Sequence, residues 1–154
     1  VMQWLETKIP PVVLWLLTAL GMKLAAPYLP VWPLGALPAL IAAMGMTLAG
    51  CTVAVLGVWE FRRKHTTVDP RQPEKVSVLV TSGVFRYSRN PMYVGLASLL
   101  VAQTCYLQSP CLLLGVLFFI AYMNRFQIIP EARAMIQRFG DSYLNDQRQV
   151  RRWL

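Results

Sequence analysis

The chain has 154 residues, 56% of them hydrophobic and only 14% charged, against about 25% charged in a typical soluble domain. Long uncharged runs account for the deficit, which excludes a soluble domain with a large core and points to an integral-membrane protein. The formal net charge of +8 does not indicate nucleic acid, because the basic residues cluster beside apolar runs, where they fit a cytoplasmic membrane face.

Residues 1–8 form a short interfacial lead-in with Trp4, Glu6 and Lys8. They lack a basic region and a small-residue cleavage site, so a cleaved signal peptide is not expected. An apolar run then gives a first span at about 9–28, with Lys23 placed to snorkel beside Tyr28 and Trp32. The proline-rich stretch APYLPVWPLGALP breaks the helix and forms an outer loop. Leu34 to Val58 carries no charge, enough for a second, tilted span at about 34–58. Within it Ala42, Gly45 and Ala49 place small residues at helical spacing, a pattern that permits close helix contact and also arises by chance in a Gly/Ala-rich span.

Trp59 to Lys64 closes that span with an aromatic and basic belt. A polar connector follows, with His65, Pro70, Arg71, Pro73 and Lys75, and no role is assigned to the lone histidine. The run VSVLVTSG is too short to cross and is expected to lie extended or turning at the interface. Asn90 is a good N-cap residue and Pro91 suits the first helical position, so a helix is predicted to start there. Its free N–H groups would face the basic segment that holds Arg86 and Arg89, which suits either a bound anion or a simple interfacial anchor.

From Asn90 to Asn124 no charged residue appears. A straight helix of that length would reach about 50 Å, whereas the hydrocarbon core is about 30 Å thick. The run must fold back, at Gln108-Ser109-Pro110, giving a tight pair of spans at about 91–107 and 110–126. Beyond Arg125 the pattern turns amphipathic, with Ile136, Phe139 and Tyr143 at helical spacing and Gly140 weakening the helix in mid-course. The tail, RQVRRWL, reads as a membrane-surface anchor.

The predicted architecture is therefore all-α and integral to the membrane, a single membrane domain over 1–154. It has four transmembrane helices, a hairpin formed by the third and fourth, and a C-terminal amphipathic helix. Segment 60–90 holds seven Lys/Arg and the C-terminal part six, with Lys23 alone outside, so both termini and the connector are expected in the cytoplasm. The hairpin then brings the 60–90 and 127–154 elements together. Arg125 and Glu131, at the membrane edge, are functional candidates, with a plain Arg/Glu pair at the span end as the alternative. Cys51, Cys105 and Cys111 show no metal-ligand spacing, so no metal is expected. Cys105 and Cys111 are expected as free buried thiols, or as a pair if their turn faces an oxidising compartment. No nucleophile–base arrangement and no phosphate loop is present, which favours chemistry needing little acid/base machinery.

LVTSGVFRYSRNPMYVG, the hairpin, IIPEARAMIQRFGDSY and the QVRRWL ending together resemble the isoprenylcysteine carboxyl methyltransferase family, whose superfamily includes phospholipid N-methyltransferases. The likeness covers about residues 60–154. Its signature is R-H-P-x-Y-x-G, then E-E-x-x-L and F-G-x-x-Y. The resemblance implies S-adenosylmethionine bound at the cytoplasmic edge, S-adenosylhomocysteine as its product, and a lipophilic or small-molecule acceptor reaching the site from the bilayer. By position, a strand-like Ser77, Val78, Leu79 and Val80 would line the adenosine side. Phe85 stands for a family tyrosine, and Arg89, Asn90, Pro91, Met92 and Tyr93 would hold the cofactor at the helix start. Glu131 would bind its ammonium or ribose hydroxyls, and Arg125 would orient an acceptor carboxylate at the substrate entrance. Asn90 stands where the family has histidine, Ala132 where it has a second glutamate, and Asp146 where a second tyrosine is usual. Two other readings are a membrane reductase using NADPH, with Arg86 or Arg89 on the 2′-phosphate, and a non-catalytic membrane subunit whose site has decayed.

Overall fold

The computed structural model describes residues 3–66 and 77–154, and within them it is helical with no strand. The helices are α1 (Pro11–Ala25), α2 (Ala36–Arg63), α3 (Pro91–Leu107), α4 (Leu113–Met123), α5 (Ile129–Phe139) and α6 (Asp141–Gln149). Short 3-10 turns lie at Gln3–Leu5, Ala26–Tyr28, Gly83–Arg86 and Pro110–Leu112, and a π turn at Asn124–Ile128. Pro70, Arg71, Pro73 and Lys75 of the connector fall outside the described residues.

Among the described residues, three helical stretches are long and apolar enough to cross a membrane: Pro11–Tyr28, Ala36–Arg63 and Pro110–Phe139. Their outer faces are greasy. Leu16, Leu20 and Leu24 on α1, Leu37, Ile41 and Leu48 on α2, and Leu114 and Phe118 on α4 are all exposed. An apolar surface on that scale would be a liability in water and is what lipid tails require. The chain is thus a multi-pass membrane protein. α3, with 17 residues, is apolar but shorter.

α3 packs against α1, α2 and α4, with α2 its closest neighbour. A β-carbon built on Gly95 would lie 2.7 Å from both the Gly50 carbonyl oxygen and Ala54 Cβ, and one built on Gly57 would meet Met92 and Pro91 at 3.1 and 3.2 Å. The two helices therefore run antiparallel with backbones nearly touching, the small-residue contact that membranes favour. The face involved is not the predicted one. Ala42, Gly45 and Ala49 are exposed, while the buried line of α2 is Ala39, Ala43, Gly50 and Gly57. Leu14 and Met22 of α1, Leu100 of α3, and Val116, Phe119 and Met123 of α4 form the core on the other contacts of α3.

The hairpin turns at Gln108, whose φ of 53° is left-handed. Ser109 Oγ donates to the Pro30 carbonyl at 2.9 Å and Trp32 N–H to the Gln108 carbonyl, so the turn and the loop after α1 share one end of the bundle. Cys105 and Cys111 beside it are free and half-buried. At the other end the helical run does not stop near 126. The π turn carries it from α4 into α5 as far as Phe139. Gly140, at φ 53° and ψ −126°, is a break between α5 and α6 rather than a weak point inside one helix, because that conformation is open to glycine and costly for other residues.

Candidate functional site

The polar end of the bundle is assembled from four pieces: residues 77–90, the start of α3, the π turn with α5, and the tail after α6. Pro91 opens α3 at a position where its missing N–H is no loss. Asn90 precedes it, but its side chain makes no cap. Its Nδ2 donates to the Arg152 carbonyl at 2.8 Å, and its own N–H is taken by Ser88 Oγ at 3.1 Å. The amide is thus spent on the tail, and Ser88, almost fully buried, shapes the approach to the helix.

One turn into α3, the Tyr93 hydroxyl donates to Glu131 Oε1 at 2.6 Å. Gln127 Nε2 donates to the same oxygen, also at 2.6 Å. Tyr93 and Gln127 are buried, and Gln127 reaches Glu131 because residues four apart share a helix face. Two donors on one oxygen fix the rotation of the carboxylate.

The tail closes over the same region. Arg89 donates from its backbone N–H to the Arg151 carbonyl at 3.0 Å and from Nε to the Val150 carbonyl at 3.1 Å. Trp153 Nε1 donates to Asn124 Oδ1 at 2.9 Å, and its ring packs on the core. The tail is therefore docked on the protein through Trp153. Burial pushes the Asp146 carboxyl above its ordinary range, while the charge of Arg89 pulls it down.

Other predicted site residues lie elsewhere. Arg125 does not pair with Glu131. Its Nη1 contacts Glu6 Oε1 at 2.9 Å, and its guanidinium lies over the Phe126 ring. Ser77 to Val80 are not a strand. Ser77 N–H donates to Thr66 Oγ1 at 3.1 Å, Ser77 and Val78 are exposed, and Val80 is buried. Phe85 packs edge-on against Phe61 with ring centroids 5.2 Å apart, so these residues are joined to the end of α2. Met92 lies on the α2 side of α3, against Gly57.

Sequence reasoning missed Glu60, Gln127, Asn124 and Ser88. Glu60, 4% exposed, accepts from Ser82 Oγ at 2.7 Å and lies 3.6 Å from Arg63. Gly83, at φ +60°, rests against it, and a β-carbon there would come within 2.6 Å of Oε1. Glu60, Gly83, Arg86 and Tyr87 also line a groove of about 330 Å³ with Leu56, Trp59 and Val84. Of the missed residues only Gln127 had a legible signal, its i,i+4 relation to Glu131.

The chain matches the phospholipid methyltransferase family over residues 38–142, a span that starts inside α2 and ends just past Gly140. It is 41% identical over 63 residues to an uncharacterised protein of Haemophilus influenzae, which covers 41% of this chain and all of that protein. No solved structure matches. With Arg89, Pro91, Tyr93, Gly95 and Glu131 all inside the matched span, this chain belongs to the phospholipid methyltransferase family.

Proposed function

We propose that the chain catalyses S-adenosylmethionine-dependent methyl transfer to a lipophilic or small-molecule acceptor, a carboxylate or an amine, at the cytoplasmic face of the membrane. The observation that carries this is the Tyr93–Gln127–Glu131 cluster, a single oriented carboxylate at the start of a packed helix. Family membership supplies the methyl donor class. The donor set fits it. The Glu131 carboxylate, held by Tyr93 and Gln127, would accept from an ammonium or from ribose hydroxyls.

Bound S-adenosylmethionine would supply an electrophilic methyl group on a sulfonium. The protein's task is then placement and exclusion of water, since a carboxylate acceptor is already nucleophilic and near-attack positioning contributes several kcal/mol. An amine acceptor must arrive unprotonated. Glu131 would hold one end of the cofactor, Gln127 and Tyr93 hold Glu131, and the tail held by Asn90, Arg89 and Asn124 covers the region. Asn90 thus fills the family histidine's place with a strap contact, and Ala132 leaves Glu131 as the sole carboxylate of the motif. Arg125 can orient an acceptor carboxylate only by sharing its guanidinium with Glu6.

In the bilayer, α3 makes the third of four crossings, its 17 residues spanning about 26 Å at 1.5 Å per residue with local thinning. The site end carries the arginine-rich segments and the opposite end Lys23, so the site faces the cytoplasm. Incubating the detergent-solubilised protein with methyl-labelled S-adenosylmethionine, and with total lipid extract or prenylcysteine analogues, tests the reading. Label is expected in one acceptor class and lost in Glu131→Ala. Label in neither class, at any protein concentration, rejects it.

A further inference from the structure

The π turn is the one wide turn among the described helices, and it and the helix after it present Arg125 and Arg133 to one acidic side chain. Arg125 Nη1 and Arg133 Nη2 both lie 2.9 Å from Glu6 Oε1. On an unbroken α-helix two residues eight apart are about 80° out of phase. A π turn absorbs one extra residue, and that brings Arg125 and Arg133 onto the same side. The same wide turn leaves Gln127 and Glu131 facing inward to Tyr93. One irregularity therefore aims two arginines out and two site residues in.

The segment before α1 holds that irregularity from outside. Glu6 is 13% exposed although both arginines are about half exposed, so its carboxylate is the inner member of the group. The next residue, Thr7, donates its backbone N–H to the Phe126 carbonyl, inside the π turn, at 2.9 Å. Thr7 does so at φ 58°, a left-handed conformation that L-residues with a β-carbon adopt at a cost. Two successive residues thus grip one helical turn, by charge and by backbone, and one of them is strained to do it. Strain of this kind persists where the surroundings over-determine it, often at sites.

We propose that Glu6 is a positioning residue, whose carboxylate clasps Arg125 and Arg133 and so fixes the wide turn that aims Gln127 and Glu131 at Tyr93. The inference rests on the methyl-donor reading of that cluster. It also gives Arg125 a task besides substrate contact.

The test uses the full chain in detergent, with S-adenosylhomocysteine as the probe. Glu6→Ala is expected to bind it about tenfold more weakly, a typical coupling between linked sites. Without ligand, amide exchange at 124–131 should quicken while exchange in α2 and α3 stays at the wild-type rate. Glu6→Gln, which keeps the shape and one acceptor oxygen, should fall between the two. Unchanged affinity and exchange in both variants would overturn the proposal. So would exchange that quickens equally throughout the chain, since that marks general destabilisation. A wild-type protein that fails to bind S-adenosylhomocysteine refutes the methyl-donor reading instead, and the exchange measurement still decides whether the clasp exists.

Discussion

The α2–α3 contact sets where Tyr93 stands, and Gly95→Ala probes it with a single carbon. That β-carbon would lie 2.7 Å from the Gly50 carbonyl oxygen, 2.7 Å from Ala54 Cβ and 3.2 Å from Ala54 N, where ordinary contact begins at 3.4 Å. Two of the three atoms are helix backbone and cannot rotate away, so the helices must part by about 0.7 Å, the difference between 3.4 and 2.7 Å. Overpacking of this kind costs about 1–3 kcal/mol, or a melting temperature lower by about 2–4 °C per kcal/mol for a chain of this size. Tyr93 is two residues away and its hydroxyl bond to Glu131 is 2.6 Å long, so the displacement also stretches the site. Thermal unfolding in detergent and S-adenosylhomocysteine titration should both report the loss. Adding Ala54→Gly removes one of the two 2.7 Å overlaps, and should restore part of the melting temperature. A Gly95→Ala protein that melts and binds like wild type, or a double variant with no recovery, refutes the packing argument.

Other expectations follow from single contacts. Tyr93→Phe keeps the ring in the core and deletes one donor to Glu131. It should weaken S-adenosylhomocysteine binding by about two- to tenfold, the scale of a hydrogen bond worth about 0.5–1.5 kcal/mol, with expression and helicity unchanged. Gly83→Ala adds a β-carbon at φ +60° against Glu60, and should lower the melting temperature through about 1–2 kcal/mol of left-handed strain plus the clash. The bond from Arg125, with help from Arg133, holds the Glu6 carboxyl below its ordinary value of 4.5. A depressed folded-state value means stabilisation that is complete at neutral pH and is lost as pH falls below 4.5 through the folded value. The difference in melting temperature between wild type and Glu6→Gln should therefore shrink towards zero in acid, and a difference independent of pH would contradict the ion-pair account.

Much of the helical layout was legible because hydrophobic runs and breakers report it directly. The uncharged stretch from Asn90 to Asn124 was too long for one crossing, and Gln108-Ser109-Pro110 was the only break in it. The π turn was not legible, because 3.6-residue periodicity assumes an unbroken helix and treats Arg125 and Glu131 as a local pair. The small-residue line noted on α2, left open between a helix contact and chance, is not the one that packs on α3, because Ala and Gly occur on both sides. Which line is buried depends on α3, whose Gly95 meets Gly50 and Ala54. Asn90 looked like a cap from its place before Pro91, yet its amide serves a tail 62 residues away, a contact that local sequence cannot announce. The same holds for Glu6, 119 residues from Arg125. Glu131 was nominated by its place at the membrane edge and again by the resemblance, Tyr93 by the resemblance, and their hydrogen bond spans 38 residues.

The central claim is that one carboxylate, oriented by Tyr93 and Gln127, holds the methyl donor at the start of α3. Calorimetric titration of S-adenosylhomocysteine into the solubilised protein, alongside Glu131→Ala of matched melting temperature, tests it most directly. A saturable heat is expected for wild type, weakened by about ten- to a hundredfold in Glu131→Ala, as loss of a hydrogen bond to a charged group worth about 1.5–3 kcal/mol implies. Equal binding by both proteins would contradict it.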